Sequence, residues 1–246
     1  LRFRHRCCLN EKYLLSSHRC LVVKFFLGPI FAVLWKDILL EIRTKDIVVA
    51  VLVFSLLVIV IFNFAIEPTS RIVAIIAPGV LWVAFVFGGV LGITRSFALE
   101  KEHGNMQGLM LTPVSRDTIF FGKLLSNFLF MLLVEAIVFP IFVILFNLSL
   151  AVPEFIPVAI LATLGIATVG TMFSAMAVNT RAREVMLPLL FLPVALPIII
   201  AAMESSAVIV RAINLSETAN WLSFLAACDA IFLVVCPFAF HLVVEE

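Results

Sequence analysis

Ile47-Val48-Val49-Ala50-Val51-Leu52-Val53-Phe54-Ser55-Leu56-Leu57-Val58-Ile59-Val60-Ile61-Phe62-Asn63-Phe64-Ala65-Ile66 is a twenty-residue run in which only Ser55 and Asn63 are polar. About 20 residues of helix cross the hydrocarbon core of a bilayer. A lone segment there must satisfy its backbone N–H and C=O groups internally, which selects the α-helix. Outward from this run, five further stretches read the same way, so spans are expected at 47–66, 72–93, 124–150, 156–178, 185–202 and 221–244. Polar, turn-forming breaks separate them: Glu67-Pro68-Thr69-Ser70, the long segment from Thr94 to Lys123, Val152-Pro153-Glu154, Asn179 to Glu184, and Met203 to Asn220. Composition agrees: 63% of residues are hydrophobic and 13% charged, and mean hydropathy is +1.20. A water-soluble domain carries about twice that share of charge. The 24 Phe against one Tyr suit side chains facing lipid tails, where a phenol hydroxyl would need a partner. The fold class expected is an all-α integral membrane protein with six transmembrane helices.

Orientation follows from the basic residues. Fifteen of the 17 Lys and Arg fall before span 1, between spans 2 and 3, or between spans 4 and 5, and the opposite side holds only Arg71 and Arg211. The positive-inside rule then places both termini in the cytoplasm. Residues 1–27 are read as a poorly ordered basic extension without a signal peptide's small-residue cleavage site, and residues 28–246 as a six-helix transmembrane domain. From Pro29 onward, Ile30, Leu34, Ile38 and Ile42 recur every four residues while Lys36, Glu41 and Lys45 take other faces. This pattern predicts an N-terminal amphipathic helix at the membrane interface; its alternative is a cytoplasmic extension of span 1. Five Cys (Cys7, Cys8, Cys20, Cys228, Cys236) make no CxxC or CxxCH motif, so neither a disulfide framework nor a metal site is expected.

Glu100-Lys101-Glu102-His103-Gly104-Asn105-Met106-Gln107-Gly108-Leu109-Met110-Leu111-Thr112-Pro113-Val114-Ser115 dominates the longest hydrophilic segment. Gly104 can stop one helix and Asn105 cap the next, Met106, Leu109 and Met110 form one apolar face, and Pro113 ends it. The expected product is a short cytoplasmic helix. Its apolar face either lies back on the membrane surface or docks into a groove on another protein.

The order of motifs resembles one family. Arg71-Ile72-Val73-Ala74-Ile75-Ile76-Ala77-Pro78-Gly79-Val80-Leu81-Trp82-Val83, then the acidic residues, Gly104, and Leu109 to Ser115 look like the CcmB family, the haem exporter protein B of cytochrome c maturation. Leu164 to Gly170, basic Arg181 and Arg183, and Leu192-Pro193-Val194-Ala195-Leu196-Pro197 extend the likeness over roughly Phe31 to the C-terminus. More broadly, the loop resembles that of ABC-2 (type V) exporter permeases, whose coupling helix between spans 2 and 3 touches the ATPase. The resemblance implies ATPase contact through Glu100, Glu102, Gly104, Asn105, Met106, Gln107, Leu109, Met110, Pro113, Ser115, Arg181 and Arg183. It implies a dimeric CcmA-type ATP-binding subunit, CcmC, CcmD and the haem chaperone CcmE as partners beside membrane lipid, with no nucleic acid, in a bacterial inner membrane. Where relatives carry Thr or Ser and then Leu-Glu after the loop glycine, this chain has Asn105, Met106 and Gln107. Asn still caps a helix, but Gln107 removes a charge.

Catalysis by the chain itself is not expected. A phosphate-binding loop needs G-x-x-x-x-G-K-[ST], and Gly122-Lys123 is followed by Leu124; ATP and Mg²⁺ therefore belong to a partner. No directly bound cofactor is expected, and haem enters as transported or delivered substrate. Its axial ligation would use His or Met, while His5, His18, His103 and His241 lie on or near the expected cytoplasmic side. Pro78, Gly79, Pro193 and Pro197 are hinge candidates, with ordinary membrane packing as the alternative, and Trp82 belongs to the same motif. Asn127, Glu135 and Asp229 are intramembrane polar candidates, either functional or simply hydrogen-bonded between helices. Met203 to Asn220 is expected to form a short interfacial or re-entrant helix. The competing functions are an ABC-2 permease for lipid, polysaccharide or drug, and a membrane-embedded enzyme.

Overall fold

The computed structural model describes residues 28–39, 45–65, 70–102, 116–148, 152–177, 183–211 and 215–243. Among them, helix α1 covers 28–39 and is followed by α2 (Asp46–Ala65), α3 (Ser70–Glu102), α4 (Arg116–Leu145), α5 (Val152–Ala177), α6 (Arg183–Val210) and α7 (Leu215–Val243). Each of α2 to α7 is long and apolar enough to cross a membrane. Asp46, Asp117, Glu154 and Glu217 sit in the first turns of α2, α4, α5 and α7, where a carboxylate favours the partly positive helix N-terminus.

Helix ends show how the chain turns. α4 closes with Asn147 in the left-handed region at φ 49°. There Leu148 N–H donates to the Val143 carbonyl at 3.1 Å and Asn147 N–H to that of Ile144 at 3.3 Å. That is the Schellman arrangement, with Asn in the position glycine usually takes. Asn63 of α2 donates its amide Nδ2 to the Leu145 carbonyl at 2.9 Å, capping one more orphan acceptor.

α5 is the hub. Its residues Gly165, Ile166, Ala167, Thr168, Val169, Gly170 and Thr171 are all buried, which on a helix means neighbours on every side. It packs against α3, α4, α6 and α7. By contrast, α2, α4 and α7 turn large apolar side chains outward, among them Val53, Leu57, Leu133, Val234 and Phe238. Such a surface is stable against lipid tails, and in water it would aggregate.

Four readings of the sequence need correction. α3 continues without a break past Arg95 to Glu102, 33 residues in all, or about 50 Å at 1.5 Å per residue; Thr94 to Glu102 is therefore helix rather than loop. α4 begins at Arg116, which takes Lys123 out of the loop and into the bundle, where it is buried. α6 runs on to Val210 in place of a separate helix after Met203. No Gly or Pro interrupts 203–210, and Ser205 and Ser206 return their hydroxyls to the Ala201 and Ala202 carbonyls at 2.7 Å, so their polarity is absorbed within the helix. On α1, Leu34 is the buried member of the expected apolar stripe among the described residues, beside Val33; Ile30 and Ile38 are half-buried and Ile42 lies outside the described residues. Phe31, Trp35 and Leu39 form a second, exposed apolar stripe, with Phe31 and Trp35 stacked at 6.3 Å.

Candidate functional site

The polar side chains inside the bundle lie on helix seams. Along the antiparallel α4–α5 seam, Asn127 Nδ2 donates to Thr171 Oγ1 at 2.9 Å, and Thr163 Oγ1 donates to Glu135 Oε1 at 2.6 Å. Each helix contributes two polar residues eight positions apart, about 12 Å along the axis, so the two bonds fit one register together. A slip of one turn would break both and leave four polar groups unpartnered in an apolar seam. Glu135 Oε2 is buried with no hydrogen-bond partner among the described residues. It borders a small, half-open cleft with Val51, Phe85, Gly89, Phe130, Met131 and Val134.

Asp229 lies on another side of the hub. α7 buries only a narrow stripe, including Leu225, Asp229, Cys236 and Phe240, and Asp229 is the charged member of it. Both of its carboxylate oxygens are buried without hydrogen-bond partners among the described residues. Its Oδ1 rests where a Cβ on Gly165 would stand, with Ile198 Cδ1 2.7 Å from the same point. Glycine at 165 is what lets α7 bring a carboxyl against the α5 backbone. Thr163 and Gly165 are about 200° apart around α5, so the helix separates Glu135 from Asp229 and the two acids do not converge on one reacting atom.

A third seam joins α3 to α6. Trp82 is fully buried and its indole Nε1 donates to Ser206 Oγ at 2.9 Å. The ring meets Phe85 edge-on at 5.8 Å and Phe155 at 6.4 Å, and Phe155 stacks on Phe139 at 4.2 Å. Pro78 and Gly79 lie one turn earlier inside continuous α3, Gly79 facing the Met203 methyl, which would be 3.2 Å from an added Cβ. Pro193 and Pro197 lie inside continuous α6, Pro193 exposed and Pro197 half-buried. Each proline removes one intrahelical bond, but neither helix is broken.

Gly104, Asn105, Met106, Gln107, Leu109, Met110, Pro113, Ser115 and Arg181 lie outside the described residues, as do 1–27. Glu100 and Glu102 fall in the last turn of α3, and Arg183 opens α6. Thr163, Thr171, Ser206 and Gly165 are partners that reading the sequence missed. The eight-residue spacing of the two Thr, matching that of Asn127 and Glu135, was the available signal; Gly165 stood within the motif Leu164 to Gly170 without an assigned role, and nothing marked Ser206.

Six apolar helices, one of them a buried hub and each long enough to cross a membrane, define a multi-pass membrane protein. A sequence profile of the family described as "CcmB protein" matches residues 29–246, and the chain belongs to that family. It is thereby a permease subunit, a transporter component, and the family implies ABC transporter partners. The chain is similar to "Heme exporter protein B" of Paracoccus denitrificans (30% identity, covering 85% of this chain and 94% of the relative). It is likewise similar to proteins of that name from Pseudomonas aeruginosa (27%, 76% and 83%) and Rhodobacter capsulatus (29%, 70% and 80%).

Proposed function

We propose that this chain is the membrane-spanning permease of a cytochrome c maturation ABC transporter in a bacterial inner membrane. A dimeric CcmA-type subunit hydrolyses Mg·ATP, and the permease, with CcmC and CcmD, uses the resulting conformational change to deliver haem across the membrane or to release haem-loaded CcmE. The family match over 29–246 is the observation that carries this reading. Fifteen of 17 basic residues on one side support cytoplasmic termini, and the outward stripe Phe31, Trp35 and Leu39 supports an α1 lying in the interface. The segment read as a coupling helix joins α3, which ends at Glu102, to α4, which begins at Arg116.

Gly104→Pro and Pro113→Leu are expected to misplace that helix. In membranes of cells expressing the whole system, either change should cut co-purification of the ATPase subunit or the yield of holo-cytochrome c at least tenfold, with permease abundance unchanged. Normal recruitment together with normal cytochrome yield would refute the coupling assignment.

A further inference from the structure

α1 touches α4 through one face. Ile30, Val33, Leu34 and Asp37 share that side of the helix at the spacing of successive turns. On α4, Gly122 admits the α1 backbone: a Cβ there would stand 3.0 Å from Val33 Cβ and 3.5 Å from the Ile30 carbonyl oxygen. The next residue, Lys123, places Nζ 2.8 Å from Asp37 Oδ2, both side chains more than nine-tenths buried, while Lys36 reaches Oδ1 of the same carboxylate at 3.3 Å. This is an ion pair between buried charges, and removing one partner leaves the other charge without compensation. Lys123 also lies two turns beyond Arg116, the first residue of α4.

We propose that Asp37–Lys123, seated over Gly122 and Val33, is a clamp that makes α1 and the cytoplasmic end of α4 one moving body, so that displacement of the first turns of α4 carries the interfacial helix with it. Asp37 and Lys123 are positioning residues. The direction of transmission rests on the ATPase-docking reading of Glu100 to Ser115, whereas the clamp itself rests only on the contacts just described. An interfacial helix tied to one span in this way moves laterally in the leaflet whenever that span tilts.

The test uses the full chain in membranes with its ATPase partner, reading permease abundance, bound ATPase subunit, ATP hydrolysis and holo-cytochrome c in parallel. Asp37→Asn and Lys123→Gln should leave the first three within twofold of the parent and lower cytochrome formed per ATP at least tenfold, a ratio that a merely structural contact would not move. Exchanging the charges, Asp37→Lys with Lys123→Asp, should recover most of that loss. Val33→Cys with Gly122→Cys, in a background whose five native Cys are replaced by Ser, places two sulfurs close enough to join after a small outward shift. Oxidation should restore coupling to the Asp37→Asn protein and leave the otherwise unaltered protein active. The proposal is overturned if neither charge exchange nor the disulfide restores coupling, or if the disulfide alone silences the parent and reduction revives it, since α1 and α4 would then have to separate. Loss of ATPase subunit binding in Asp37→Asn overturns it as well, the contact then serving recruitment. Normal recruitment and cytochrome yield in Gly104→Pro overturn the docking reading instead and leave the disulfide result to judge the clamp.

Discussion

Thr163 and Thr168 are both buried threonines of α5, five residues apart, and the structure gives them different work. Thr163 donates across the seam to Glu135 Oε1 at 2.6 Å; Thr168 donates to the Leu164 carbonyl of its own helix at 2.7 Å. Replacing either by Val keeps the shape and removes the hydroxyl. At 168 the Leu164 carbonyl retains its helical N–H partner, so Thr168→Val should cost about 0.5 kcal/mol or less. At 163 the same change leaves a buried carboxyl whose Oε2 is already without a partner. A bond to such a group contributes about 1.5–3 kcal/mol in soluble proteins, while interhelical bonds in bilayers average about 0.6 and reach about 1.7 kcal/mol. The 2.6 Å length and the lack of a second acceptor contact put Thr163→Val at the upper end of the membrane range, about 1.5 kcal/mol. The assay is reversible unfolding in mixed micelles, with a double-mutant cycle against Glu135→Leu. A coupling energy under about 0.3 kcal/mol, or equal losses at 163 and 168, would refute the claim that Glu135 is held by Thr163 across the seam.

Two other substitutions probe the frame around that seam. Asn147, at φ 49°, should accept Gly with no loss in the same unfolding assay, whereas Asn147→Val should cost about 1–2 kcal/mol because a β-branched residue resists the left-handed region; equal stability of the two variants would contradict the Schellman closure of α4. Gly165→Ala sets a methyl against Asp229 Oδ1 and Ile198, an overpacking expected to cost about 1–3 kcal/mol, partly offset by about 1 kcal/mol of helix propensity. Net stabilisation in the micelle titration would show that α7 does not approach α5 there.

How much of this was legible beforehand depends on the kind of interaction. The six spans could be read because crossing a bilayer imposes a length and an apolarity that a linear sequence carries on its face. Span ends were misread where a charge was taken as a boundary: Glu204 sits within α6, and Arg95 and Lys101 within α3, because Glu, Arg and Lys are good helix formers and nothing stops the backbone beside them. Lys123 was counted as a loop cation for the same reason, although its head group is buried against Asp37. Asn127 and Glu135 were recognisable as neighbours close to one helical face, since eight residues return to within about 80° of the starting direction. Their partners were not, because Thr is common in membrane helices and bonds its own backbone as readily as a neighbour, as Thr168 does.

The sequence by itself determined that this is a multi-pass helical membrane protein with six candidate spans, where along the chain the positive charges cluster, and through the order of its motifs to which family it belongs. These properties depend on solvent partition and local spacing, both of which are linear in the chain. Only the tertiary structure decided that α5 is the hub, that Glu135 and Asp229 stand on different faces of it, and that Asp37 meets Lys123. Each of those pairings joins residues dozens of positions apart, Asn127 to Thr171 or Gly165 to Asp229. Which helix faces which is set by the packing of all the faces at once, with no trace in any one of them.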